Sequence, residues 1–141
     1  MIVEVTDFQS KDYYQALAVR DKILRQPLNL QFDPAQLAAE NLDIHIIAKV
    51  GSKVVGTMIM TIVNDNAKMR QVAVLSEFQS KGVGKKMVEA FEQLSKSKGL
   101  NSIVLHARET AISFYKNLGY YVEGERFEEV GIPHWKMSKL L

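Results

Sequence analysis

Residues 72–107 constrain this chain more tightly than any other stretch. A β-branched run, "VAV" (72–74), leads into "QSKGVGKK" (79–86), where two glycines stand two apart among lysines. A long amphipathic stretch follows, with Val83, Met87, Phe91 and Leu94 on one face and Gly99 as its stop. A second apolar run, "SIVLHA" (102–107), closes the unit. Strand, helix, strand in that order is a crossover connection, so the two strands should lie parallel, joined with a right-handed sense. The glycine loop then falls between the C-terminal end of a strand and the N-terminus of a helix.

The flanking sequence supplies antiparallel partners. "IHIIAKV" (44–50) alternates, with Ile44, Ile46, Ala48 and Val50 expected on one face. Gly51-Ser52 reads as a turn, "KVVGTMIMTIV" (53–63) as a second strand, "NDN" (64–66) as another turn and "AKMRQVAVL" (67–75) as a third strand. Together they predict a meander. "MIVEV" at the start is a short strand. Ser10 can cap a helix running to about Arg25, with Tyr13, Ala16, Leu17, Ile23 and Leu24 inward and Pro27 as its breaker. "NLQFDPAQLAAEN" reads as a loop with one helical turn after Pro34. "ETAISFYKNLG" is a short helix closed by Gly119, with Phe114 and Leu118 expected in the core. "YYVEGERF" and "HWKMSKLL" are two last strands.

Length and charge set bounds. At 141 residues the chain is one domain, 1–141, able to bury a core without staples. A formal net charge of +2 gives no broad electrostatic case for nucleic acid or a membrane surface. With no cysteine, disulfides and thiolate nucleophiles are excluded, and three scattered histidines have no metal-ligand spacing, so no metal is expected. The first residues carry Glu4 and Asp7 and no long apolar run, so neither a signal peptide nor a membrane anchor is expected and the expected location is cytoplasmic.

A helix N-terminus offers unpaired backbone N–H groups and about half a positive charge. Glycines there remove side chains that would hold an anion away, and Lys81, Lys85 and Lys86 add charge. One reading is a cradle for phosphate; the plainer one is a strand-to-helix turn with solvated lysines. Two common phosphate loops do not fit. A dinucleotide fingerprint wants glycine where Met87 stands, and a P-loop wants a hydroxyl where Lys86 stands.

A third pattern does fit. "VAVLSEFQSKGVGKKMV" resembles the acyl-CoA-binding motif of the GNAT acyltransferase superfamily, with Gln79, Gly82 and Gly84 at the motif positions. "AISFYKNLGY" (111–120) is similar to that family's second block through Ala111, Phe114, Tyr115, Gly119 and Tyr120. The resemblance runs from about residue 44 to the end, weakens over 1–43, and points to a bacterial subgroup of small proteins with unassigned acceptors. It implies an α/β (α+β) fold with a mixed, mostly antiparallel sheet and helices on both faces. It implies transfer of an acetyl group from acetyl-CoA, as donor substrate, to a primary amine. The backbone of Gln79, Ser80, Lys81, Gly82, Val83, Gly84 and Lys85 would hold the pyrophosphate. Val72, Ala73 and Val74 would align the pantetheine arm where the parallel strands splay, with a backbone N–H near Val72 as oxyanion donor. Tyr115 would protonate the leaving thiolate; a core aromatic is the structural alternative. Where many members carry an asparagine on the pantetheine, this chain has Arg108, which offers no acceptor. Arg108 could reach a coenzyme phosphate or form a salt bridge, with Glu109 or a more distant acid.

The general base is open among His134, Glu128, Glu129, His106 and His45. His134 follows the Gly131-Ile132-Pro133 turn near where acceptors enter, and an ordinary imidazole suits a base near neutrality. Its structural alternative is an exposed strand-end histidine. His106 and His45 read as satisfied core histidines, and Glu128 and Glu129 as a solvated turn. Arg20 and Arg70 read as surface or ion-pair residues, and Trp135 as core. Two functions stand beside one another: an N-acetyltransferase, and a catalytically silent acyl-CoA-binding sensor or interaction module. The expected partners are acetyl-CoA and an amine acceptor, without nucleic acid or membrane, and the resemblance is compatible with a homodimer.

Overall fold

A computed structural model describes all 141 residues. Its frame is a seven-stranded sheet in the order β1-β2-β3-β4-β5-β7-β6. The strands are β1 (Ile2–Thr6), β2 (Ile44–Val50), β3 (Lys53–Val63), β4 (Asn66–Val74), β5 (Ser102–Arg108), β6 (Tyr121–Glu129) and β7 (Ile132–Leu140). β4 and β5 are the one parallel pair, and every other pairing is antiparallel. The crossover between them carries α3 (Val83–Ser97), as the strand-helix-strand order requires. The meander and the mixed sheet are as expected.

The helices cover the middle of the sheet. α1 (Lys11–Arg20) is capped by Ser10, whose hydroxyl accepts from the Tyr13 amide at 3.1 Å. It buries Tyr13, Ala16 and Val19. α3 buries Val83, Met87, Val88 and Phe91. Gly56 on β3 lets α3 approach, since a Cβ there would meet the Met87 sulfur at 2.6 Å. Covered on both faces, β2 and β3 lose their alternation: Ile46, Ile47 and Ala48 are all buried while Val50 is exposed. The single inward face expected for β2 is therefore wrong.

Three other expectations need correction. The first helix does not run regularly to Arg25. After Arg20 the chain widens into a π-turn (Asp21–Arg25) and tightens into a 3₁₀ turn (Gln26–Leu28) containing Pro27, a sequence of irregularities common where a helix meets a functional site. The last hairpin turns at Val130-Gly131, both with positive φ (49° and 77°), the backbone of a two-residue loop matched to strand twist. Glu128 and Glu129 consequently belong to β6, not to a solvated turn. Phe114 is 39% exposed and Trp135 half-buried, so neither is core. α4 (Ile112–Asn117) is a short helix that buries only Tyr115.

Candidate functional site

The β4–β5 pairing is short. It runs from Asn66↔Ser102 to Met69↔Leu105 and stops, although both strands continue. Beyond it β5 pairs with β7 as far as Arg108↔His134, while β4 remains bonded to β3 through Ala73↔Thr57 and Val74↔Gly56. From Arg70 to Val74 the edge of β4 that faces β5 is therefore unpaired, and the two strands part as a V. Its cause is local. The β3–β4 register shifts between Thr57 and Ile59, where Ala73 and Arg70 are the partners, so β4 carries an extra residue. Gln71 takes φ 55° there, a conformation a non-glycine residue adopts only where its surroundings enforce it. A bulge of this kind bends its strand. The sequence carries no mark of it.

At the open end of the V lies the glycine loop. A 3₁₀ turn (Ser76–Phe78) leaves β4, and Gln79 folds back so that its side-chain amide donates to the Val74 carbonyl at 2.8 Å. Ser80 and Gly82 take φ 61° and 83°, and Gly82 is the N-cap of α3. The first helical bond is Lys86 N–H to Gly82 carbonyl at 3.1 Å. Six consecutive amides, Ser80 to Lys85, have no acceptor in the protein. Left-handed residues set among right-handed ones turn successive N–H groups to one side, and the helix dipole adds positive potential there. The two glycines have different duties. At Gly82 a Cβ would meet nothing within 4 Å, so only its backbone needs glycine; at Gly84 a Cβ would lie 3.2 Å from the Phe114 ring.

Tyr115 sits beneath this end. It is 6% exposed and its ring meets Phe114 and Tyr120 edge-on. Its hydroxyl has no protein partner yet is not sealed. Burial pushes the phenol up to about 12, so it keeps its proton at any physiological pH. Tyr120 is held differently: its hydroxyl donates to Glu92 at 2.8 Å, and burial, then that bond, raise its pKa.

At the closed end is a charge cluster that the sequence reading dispersed. Arg20 is 2% exposed and donates to both oxygens of Glu40, at 2.9 and 3.1 Å. Arg70 reaches Glu40 at 3.7 Å and Asp43 at 3.5 Å. The Gln71 side-chain oxygen accepts from Arg20 at 3.3 Å and Arg25 at 3.1 Å. Arg20 is thus a buried ion pair, not a surface residue, and Arg25 is a site residue that sequence reasoning missed. Both guanidinium groups lie over Phe32, at 5.4 and 5.0 Å. Arg108 has no acid partner, and Glu109 instead accepts from Arg126 and Trp135. Of the two roles open to Arg108, the salt bridge does not form, and burial lowers its pKa.

Of the base candidates, His45 is satisfied in the core, Nε2 at 2.8 Å from the Glu40 carbonyl. His134 is within β7 and 4% exposed, so the exposed strand-end alternative is wrong. Its Nδ1 donates to the Ile132 carbonyl at 2.9 Å, which leaves Nε2 as the basic nitrogen, 3.6 Å from Glu129. The other Glu129 oxygen is 3.0 Å from His106 Nδ1, and His106 is part-exposed rather than core. Glu129 thereby links a buried imidazole to one that meets solvent.

Known proteins share this fold. A family model described as an acetyltransferase (GNAT) domain matches residues 10–141. Bacillus subtilis (strain 168) YyaT is 33% identical over 132 residues, 91% of this chain and 88% of YyaT. YjcF of the same organism, described as an uncharacterized N-acetyltransferase, is 30% identical over 139 residues, 98% of this chain and 97% of YjcF. Among solved structures, an aminoglycoside 6′-N-acetyltransferase complexed with coenzyme A superposes with a TM-score of 0.82 at 17% identity, covering 99% of this chain and 97% of that one. At that identity the likeness concerns the fold.

Proposed function

The chain belongs to the GNAT acetyltransferase family, and from that premise we propose that it moves an acetyl group from acetyl-CoA to a primary amine by direct attack on the thioester. The observation that carries this reading is the run of six unpaired amides, Ser80 to Lys85, beside an unpaired β4 edge. The amides fit a diphosphate. The open edge at Val72, Ala73 and Val74 fits an amide-bearing arm added like a strand. A structural neighbour whose complex holds coenzyme A favours the same occupant.

The remaining roles follow from position. A backbone N–H at the bulge near Val72 stabilises the oxyanion, a contribution of roughly 3 kcal/mol for one well-placed donor. Tyr115, neutral and unpartnered, gives its proton to the departing thiolate. His134 takes the proton that the ammonium must lose, and Glu129 with His106 carries it outward. A titration with acetyl-CoA, followed by thiol release across an amine panel, tests the whole. The expected result is saturable binding with turnover of at least one amine. Binding without turnover would leave an acyl-CoA-binding module, and no binding would remove the reading.

A further inference from the structure

Three guanidinium groups, from Arg20, Arg25 and Arg70, gather at the closed end of the V, with Arg108 on the facing strand β5, and two carboxylates, Glu40 and Asp43, answer them. Both carboxylates are taken. Glu40 is gripped by Arg20 with Arg70 beside it, and Asp43 lies against Arg70. Arg25 and Arg108 have no acid within 4 Å. Each is half-buried.

Their placement is fixed. One Arg25 nitrogen bonds Gln71 on the bulge, and its guanidinium lies over Phe32. Arg108 ends β5, three residues beyond Leu105, the last residue of β5 that pairs with β4. The charge of Arg108 is felt at Arg25, where it adds to the lowering that burial and Arg20 impose. Desolvated cations that repel one another are costly unless an anion completes them.

We propose that Arg25 and Arg108 form a clamp for a carboxylate at the closed end of the V, so that the acceptor is an amino acid or another amine bearing a carboxylate. This rests on the acyl-transfer reading above and narrows it. A guanidinium pair suits a planar two-oxygen anion, which each can bond with two parallel donors. The same excess of positive charge disfavours polyamines and other cationic acceptors. A carboxylate could also arrive on the acyl chain, as in succinyl-CoA, and the test separates the two sources.

The test uses α- and ω-amino acids, each against the amine that lacks its carboxylate, for example leucine against 3-methylbutylamine, with spermidine as the cationic control. Binding to the CoA-loaded protein is measured by calorimetry and turnover by thiol release. In wild type at least one acid should exceed its matched amine about tenfold or more in affinity and in kcat/KM, the gain expected of one charge-assisted bond. Arg25→Gln and Arg108→Gln should abolish that preference mainly through KM, and Arg25→Gln should leave the affinity for coenzyme A unchanged. Arg25→Lys should restore part of it, and a normal melting temperature shows that the variants are folded. A preference that appears with succinyl-CoA and neutral amines, and falls in the same variants, moves the carboxylate to the donor and keeps the clamp. Selective binding of acids without turnover keeps the clamp and rejects acyl transfer. Equal binding of acids and amines, with no Arg-dependent preference for succinyl-CoA, overturns the proposal whatever the activity.

Discussion

Tyr115→Phe isolates one atom. The hydroxyl has no protein partner, so its removal breaks no hydrogen bond, and stability below pH 10 should be nearly unchanged. Catalysis is another matter. An ordinary thiol ionises near pH 8.5, and the Tyr115 phenol is pushed up to about 12. Full proton transfer from this phenol to such a thiolate is uphill by roughly 3.5 units, or about 5 kcal/mol. A turnover near 10 per second allows a barrier of about 16 kcal/mol, so the step fits. Loss of a general acid costs typically 10²- to 10⁴-fold, about 3–5 kcal/mol in barrier. Turnover of Tyr115→Phe should fall by that factor while the affinity for acetyl-CoA stays within about twofold. The wild-type profile should show no alkaline loss from this group up to pH 10, because the phenol stays protonated well beyond it. The stability sign is also fixed. A phenol raised above its unfolded value of about 10 contributes in full below that pH, and the contribution is lost as pH rises toward 12. Urea unfolding above pH 10 should therefore show a smaller loss for the phenylalanine variant. Unchanged turnover with a good acceptor, or a lost affinity for acetyl-CoA, would refute the reasoning.

Three other perturbations test separate links. Gly82→Ala places a Cβ at φ 83° in open space, so it should cost about 1–2 kcal/mol by urea titration from backbone strain alone and weaken coenzyme binding by turning the loop amides. Glu40→Gln leaves Arg20, 2% exposed, without its counter-ion and should cost about 3–5 kcal/mol; a change under 1 kcal/mol would mean the pair is not buried in solution. His134→Gln should lower kcat by about 10²-fold or more while leaving the affinity for acetyl-CoA within about twofold, with Glu129→Gln a milder copy. An unchanged kcat would take the base role from His134.

The crossover was legible because its signals are local. Period, glycines and a β-branched run each act within a few residues, and they located α3, the loop and the strand between Ser102 and Arg108. The bulge at Gln71 was not, because nothing about glutamine announces a positive φ; the conformation is enforced by β3 on one side and by Arg20 and Arg25 on the side chain. The arginine cluster failed for a related reason. Arg20, Glu40, Arg70 and Gln71 lie far apart in sequence, and only the sheet register brings them together. Phe114 misled because the helical pattern assigns it a face, and a six-residue helix at the edge has room to bury only Tyr115.

The most direct measurement follows the backbone amide resonances of Ser80 to Lys85 by nitrogen–proton correlation spectroscopy as coenzyme A is added. Those six groups, with Val72 to Val74, should shift the most and saturate together at the calorimetric affinity. Coenzyme binding that leaves them unmoved while amides elsewhere respond would contradict the account.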